Sequence, residues 1–393
     1  MPGRIQRVTV VVAVLGALVV SLAGCRLGLG GGSPDRHPLP SGEGLIPGRY
    51  AAPSGPLFAS PADDPIDNQA VRTLVENIRH TPPGATIRIV AYSFSLGEVS
   101  GPLIAADRRG VHVQVVVDGR HSHEFEATQA IEAALGGDRH RASFVVLTDR
   151  SARGTVSHSH QKSWSFSRTG SSRHVVMVGA TNLSVLGTTE QYSDMYSFVG
   201  RPDVWRAFST IFRAQARDTP VPDPAVTDRL GLDTAYFYPG FSMTDDPIAD
   251  TIAELPAAPS THIRIVMYAW HPPRGQQLVD LLLDKLRGGA SVDIVRGPFV
   301  RQPLDALLAA GAKVHRGVFA NGDHVHDKLM IVEDARDGRV QHFVTTGSDN
   351  WGNVSFLRDD VDVRIALDAG EYRSYVGFFD RLLQRGSHDR RHR

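Results

Sequence analysis

The side chains best suited to chemistry are two histidine–lysine pairs, His160 with Lys162 and His326 with Lys328. Residues i and i+2 of an extended strand project to one face, so each pair presents an imidazole beside an ammonium. Two such pairs facing one another would make a phosphate site. The chain holds only four Lys among its 42 basic residues, and two of them stand at these positions. A compact ammonium is kept there although the chain elsewhere prefers guanidinium.

The surroundings of these pairs are duplicated in order. His158-Ser159-His160-Gln161-Lys162 returns as His324-Val325-His326-Asp327-Lys328, and Gly179-Ala180-Thr181-Asn182 returns as Gly347-Ser348-Asp349-Asn350. Asp194 and Asp362 each lie twelve residues beyond their Asn. Upstream, Asp63-Asp64-Pro65-Ile66 returns as Asp245-Asp246-Pro247-Ile248, and Ile87-Arg88-Ile89-Val90 with Tyr92 returns as Ile263-Arg264-Ile265-Val266 with Tyr268. The Ile-Arg-Ile-Val runs read as buried strands. A helical segment follows each (Leu103 to Arg109; Leu278 to Arg287), then a Gly and a β-branched strand (Val111 to Val117; Val292 to Val295). This βαβ alternation predicts a parallel or mixed sheet in each half, with helices on its faces. Thr219-Pro220-Val221-Pro222-Asp223-Pro224 reads as the linker between halves.

On these motifs the chain resembles the phospholipase D superfamily, whose signature is His-x-Lys-x4-Asp followed by Gly-Ser-x-Asn, used twice. The resemblance spans roughly residues 60–385. It implies two α/β repeats packed about a pseudo-twofold axis, with one active site between them. It also implies phosphodiester exchange without metal or other cofactor: one His attacks phosphorus to form a phosphohistidine, the other protonates the leaving oxygen, and water or an alcohol then displaces the enzyme. An unperturbed His titrates near ~6.5 and can fill both roles. By this resemblance His160 is the nucleophile and His326 the acid, though the two are exchangeable. Lys162, Lys328, Asn182 and Asn350 would hold the non-bridging oxygens, and Asp194 and Asp362 would orient the imidazoles through their other nitrogens.

The chain departs from the signature at three places. Ser167 and Glu333 stand where the motif has Asp, and Ala180 stands where it has Ser, with Thr181 offering a hydroxyl nearby. A rival reading is a metal site, because His-x-His occurs in both halves and Asp323 and Asp327 could join it. The Lys at the next in-phase position of each motif opposes a dication. Trp164 and Trp270 are open to either core packing or a cleft wall, Trp351 is expected at the pocket rim, and His271-Pro272-Pro273 is expected to form a loop at a strand end.

Arg4 and Arg7 precede an apolar run from Val8 to Val20 that is short for a bilayer span and typical of a signal peptide. Leu22-Ala23-Gly24-Cys25 resembles a bacterial lipobox, which makes Cys25, the only cysteine, the expected lipidation site; an ordinary secretory signal is the alternative. The expected organisation is a signal peptide at 1–24, a Gly/Pro-rich tether at 25–62, repeats at 63–218 and 229–385 with a linker at 219–228, and a solvated basic tail at 386–393.

Acidic and basic residues balance at 42 each, and loss of the leader with its two Arg leaves −2. No global field draws in a polyanion. Phospholipid is therefore the preferred substrate, hydrolysed or transferred by an exported enzyme held at a membrane by Cys25 and expected to be monomeric. A nuclease and a binding lipoprotein without turnover are the alternatives.

Overall fold

The computed structural model describes residues 49–336 and 338–391. The first sheet contains β1 (Gly55–Ala59), β2 (Thr86–Ala91), β3 (His112–Asp118), β4 (Phe144–Thr148), β5 (Ser163–Thr169), β6 (Ser172–Gly179) and β7 (Gln191–Phe198). The second contains β8 (Val226–Leu230), β9 (Asp233–Phe237), β10 (His262–Trp270), β11 (Ser291–Val300), β12 (Lys313–Arg316), β14 (Lys328–Arg336), β15 (Arg339–Gly347) and β16 (Val361–Ala366). The two-residue strand β13 (His324–Val325) precedes β14 in sequence but joins the first sheet beside β7.

Read from the parallel edge, the sheets run β4-β3-β2-β5-β6-β7-β1 and β12-β11-β10-β14-β15-β16-β9-β8. The order is the same, strand for strand, until β8 extends the second sheet. In each, the parallel strands are the βαβ pair and the strand beyond it, and the rest is antiparallel except for the short parallel pairing of β13 with β7. The α/β class and the two pseudo-symmetric mixed sheets agree with the sequence expectation. The repeated Asp-Asp-Pro-Ile segments start helical turns in both halves: Asp64 and Asp246 accept the N–H groups of Ile66 and Ile248, with Pro at the first helical position.

Apolar faces explain the layering. The helices Gln69–Arg79, Gly97–Arg108 and Glu126–Leu135 cover one face of the first sheet through a core that includes Leu74, Ile89, Leu103, Val115 and Ile131. Arg274–Arg287 covers the second sheet in the same way through Leu278 and Leu282. A third core joins the halves, with Val176, Val178 and Phe208 packed among Leu329, Ile331, Val344 and Tyr375. The site lies along this junction, because the motif arms emerge from its two sheets.

Two expected boundaries are corrected. The tether does not extend through residue 62, because β1 pairs in register with β7, Gly55 to Ser197 through Ala59 to Ser193. Pro56 is tolerated because β1 is a sheet edge. The segment expected as a tail from residue 386 is helical as far as residue 391, where it continues the helix Ala369–Arg391. Cys25 and the leader lie outside the described residues. Among the described residues no helix is long and apolar enough to cross a membrane.

Candidate active site

The motif arms exchange partners between repeats. His158–His160 runs beside the end of the second repeat, with the His160 N–H donating to the Asp359 carbonyl at 2.8 Å. Reciprocally, β13 lies against Gln191 and Tyr192, and the His326 N–H donates to the Tyr192 carbonyl at 2.8 Å. Each motif histidine is thus held at its backbone by the other repeat. Each lysine folds back in the same way, Lys162 Nζ onto the His160 carbonyl and Lys328 Nζ onto the His326 carbonyl. Tyr92 and Tyr268 repeat the symmetry: their rings lie 4.9 Å from His160 and 4.4 Å from His326, with the paired ammonium 5.2 and 4.9 Å away.

All four motif side chains are buried. Burial, reinforced first by Lys162, pushes the His160 imidazolium well below the ordinary histidine range, and Arg358 and Lys328 add to it. Burial acts likewise on His326, reinforced by Lys328, Lys162 and His160. Lys162 is pushed well down by burial and by Lys328, and Lys328 is pushed down to about 7 by burial against the opposing pull of Asp327. Each motif feels the charge of the other, so the structure brings these four residues together. Asn182 and Asn350 are buried amides whose Oδ1 atoms have no hydrogen-bond partner.

The imidazoles differ in what holds their second nitrogen. His160 Nδ1 lies 2.7 Å from Asp360 Oδ1, which also accepts from Ser348 Oγ at 2.6 Å, while Arg358 Nε donates to Oδ2 at 2.6 Å. His326 Nδ1 instead faces the Ala180 carbonyl at 3.2 Å. Asp360 is an acceptor, which assigns the proton to Nδ1 of His160 and leaves its Nε2 bare when the ring is neutral. His326 has no such single partner, because the Lys328 ammonium lies 3.2 Å from its Nδ1 and 3.3 Å from its Nε2.

The expectation that Asp194 and Asp362 orient the imidazoles is therefore corrected. Asp194 accepts from Thr346 Oγ1 at 2.7 Å and Tyr375 Oη at 3.0 Å, both in the second repeat, and its own N–H donates to Asp327. Burial raises its carboxyl to about 6. Asp362 lies beside Asp349, and burial together with that neighbour pushes it well up.

Counting residues concealed a one-residue offset. Ala180 and Ser348 donate to the carbonyls of Asp194 and Val361, and Gly179 and Gly347 pair with Met195 and Asp362. Asp194 is thus equivalent to Val361, not to Asp362, and a one-residue slip turns a side chain to the opposite face. The equivalent of Asp360 is Ser193, whose hydroxyl meets Thr181 at 2.8 Å. The first repeat has lost both the carboxylate and the Ser that supports it.

Other departures also find a structural reason. Ser167 accepts from the Thr86 N–H at 2.9 Å, and Glu333 pairs with the His342 imidazole at 2.9 Å; neither pairs with His160 or His326. The three tryptophans belong to the cores, and Trp351, expected at the rim, packs edge-on against Trp270 at 4.6 Å. His271 forms the expected loop, held by the Trp351 carbonyl. Among the described residues no group of three or more His, Cys, Asp or Glu is arranged to hold an ion. Arg274, missed in the sequence, is wholly buried and clamps Asp246 and Asp349 with four contacts of 2.7–2.8 Å, fixing the loop that carries Asn350.

Residues 74–215 match the family described as "Cardiolipin synthase, PLD-like domain". This stretch is similar to a phospholipase D-like domain. None of the curated proteins matches the chain in sequence. Among solved structures, a polyphosphate kinase from Porphyromonas gingivalis superposes with a TM-score of 0.55 at 16% identity, over 84% of this chain and 50% of that one. A phosphatidylserine synthase from Haemophilus influenzae Rd KW20 superposes with a TM-score of 0.54 at 11% identity, over 81% and 84%. The chain spans about half the length of the kinase. At these identities the likeness is one of fold.

Proposed function

We propose that the chain is a phospholipase D-like enzyme that hydrolyses phospholipids or transfers their phosphatidyl group through a phosphohistidine on His160. The observation that carries this reading is the crossed pairing of His160 with Asp360. Nε2 of neutral His160 attacks phosphorus and the bond to the leaving oxygen breaks, while His326 delivers a proton to that oxygen. Water or an acceptor alcohol then gives its proton back to His326, attacks phosphorus and releases His160. Asp360 offsets the positive charge that the first step places on His160, a benefit the Ala180 carbonyl does not give His326 to the same degree. Lys162 and Lys328 neutralise the phosphoryl oxygens, and the anionic substrate in turn favours the second proton on His326.

The lipid substrate is supported by exposed apolar side chains close to the motifs in sequence. Val156, Val185, Leu186, Val354 and Leu357 are each at least half exposed, and every one lies within seven residues of a motif His or Asn. Exposed apolar side chains on the segments that carry the motifs suit a substrate whose headgroup enters a charged site while its chains stay outside. The cardiolipin synthase description and the phosphatidylserine synthase neighbour support transfer to an alcohol beside hydrolysis. Lipidation at Cys25 and attachment to the outer side of a cell membrane belong to the same proposal.

Acid-quench trapping with labelled phosphatidylglycerol tests the reading. An acid-labile phosphoenzyme is expected from the wild type, none from His160→Ala, and headgroup release is expected to outpace cleavage of single-stranded DNA. Unimpaired turnover by His160→Ala would overturn the mechanism, and preferential DNA cleavage would overturn the substrate class.

A further inference from the structure

Away from the active site, the inner face of the first sheet carries a cavity of about 580 Å³ lined by Arg88, Arg139, Arg213, Arg217 and His140. No Asp or Glu is among its lining residues. Phe144 and Phe212 form an apolar wall. Arg88 is the deepest of the cations. Its Nε donates to Gln114 at 3.0 Å and its Nη1 to Ser209 at 2.7 Å, both neutral, and its guanidinium lies 5.2 Å from the Trp205 ring and 5.6 Å from Phe212. Among the described residues it has no carboxylate partner. Burial and then Arg213 lower it to about 10, the response of a guanidinium that lacks its counter-charge.

The pseudo-equivalent position in the second repeat is arranged differently. Arg264 donates to Tyr372 Oη at 3.0 Å, and that hydroxyl also feels Glu333, which stands at the motif position filled by Ser167 in the first repeat. Ser165 and Ser167 pair across from Arg88 and Thr86, so the missing carboxylate belongs to the face that Arg88 occupies. Arg139 does donate to the terminal carbonyls of the helix Pro202–Arg217, at Ala216 and Arg217, which leaves Arg88 and Arg213 without equivalent compensation. Burying a guanidinium without an anion costs stability unless a ligand supplies the charge.

We propose that this cavity is a second anion site that takes a phosphate-bearing group, held by Arg88 and Arg213 with Arg217 at the mouth. Arginine forks match phosphate oxygens, and the aromatic wall excludes water from one side. The site is independent of the catalytic reading, since it shares none of its residues.

Isothermal titration of the full chain with inorganic pyrophosphate provides the test. Arg213→Gln/Arg217→Gln, whose side chains are exposed, and Arg88→Gln are each expected to weaken binding at least about tenfold. Lys162→Met/Lys328→Met is expected to retain the cavity binding. Equal melting profiles of the wild type and the Arg213→Gln/Arg217→Gln protein keep the comparison independent of folding. Sedimentation with phosphatidylglycerol and phosphatidylcholine vesicles separates the sources: recruitment to the former that is lost with Arg213 and Arg217 identifies a lipid headgroup, and pyrophosphate binding without recruitment identifies a soluble phosphate. Unchanged pyrophosphate affinity in the arginine variants, or loss of all binding in the lysine variant, would overturn the site.

Discussion

Asp360 of the second repeat accepts the Nδ1 proton of His160 of the first at 2.7 Å, and Arg358 and Ser348 hold the carboxylate in place. An imidazole fixed in this way presents Nε2 in one tautomer and one orientation. Asp360→Asn keeps the shape but removes the charge and permits the wrong tautomer, so phosphoenzyme formation is expected to slow by about a thousandfold or more. Asp194→Asn is expected to stay within about tenfold of the wild type in that step, because its partners are Thr346 and Tyr375. Rapid-quench kinetics on both variants decide the matter; a reversed order of effects would return the orienting role to Asp194.

The two motif cations give the reaction an unusual pH profile. Burial lowers Lys328 to about 7 in the free enzyme, so its ammonium is present below that pH and lost as pH rises through it. The value of kcat/KM for an anionic substrate is therefore expected to fall above pH about 7. His160 is held well below its ordinary range, so it remains a neutral nucleophile under mildly acidic conditions. Lys328→Arg is expected to lower the rate and to move the alkaline limb upward, since guanidinium stays protonated. A wild-type profile level to about pH 9 would remove Lys328 from the titration.

What the sequence disclosed and what it hid have separate physical causes. Rare lysines repeated beside histidines made the motif pairs legible, and the βαβ pattern around Ile87 and Ile263 was enough to indicate both sheets. Asp360 was hidden because the Asn-to-Asp spacing matches in number while the strand registers differ by one residue, which reverses the face. No local pattern reveals that the His158 arm crosses to Asp359 or that β13 crosses to β7, since these are pairings between distant segments. Trp351 adjoins the motif residue Asn350 in sequence, yet its ring turns inward onto Trp270. Gly55 and Pro56 were read by composition as tether, although an edge strand accepts both.

Arg274 tests whether the second Gly-x-x-Asn loop depends on its buried clamp. Removing one partner of a fully buried ion network strands the remaining charges, here Asp246 and Asp349, which costs about 3–5 kcal/mol. Arg274→Met is therefore expected to lower the denaturation midpoint and also to reduce turnover, because Asn350 loses its support. Urea unfolding followed by circular dichroism reads the first effect. A loss below about 1 kcal/mol would mean that the loop is held by contacts independent of Arg274, such as the Ser355 hydroxyl donating to the Asn350 carbonyl at 2.8 Å.

The exposed apolar side chains near the motifs separate binding to an interface from chemistry. Val185 and Leu186 follow Asn182 on a short helix and are 53% and 50% exposed, so neither contributes to a core whose loss would unfold the chain. If they enter the bilayer surface, Val185→Asp/Leu186→Asp places two charges where apolar groups met lipid, and each buried methylene had been worth about 0.8 kcal/mol. Turnover on phosphatidylglycerol vesicles is then expected to fall by about tenfold or more, while turnover on a monomeric short-chain phosphodiester stays within about twofold. Equal loss on both substrates would assign these residues to the catalytic loop, because a defect of interfacial binding does not follow the substrate into free solution.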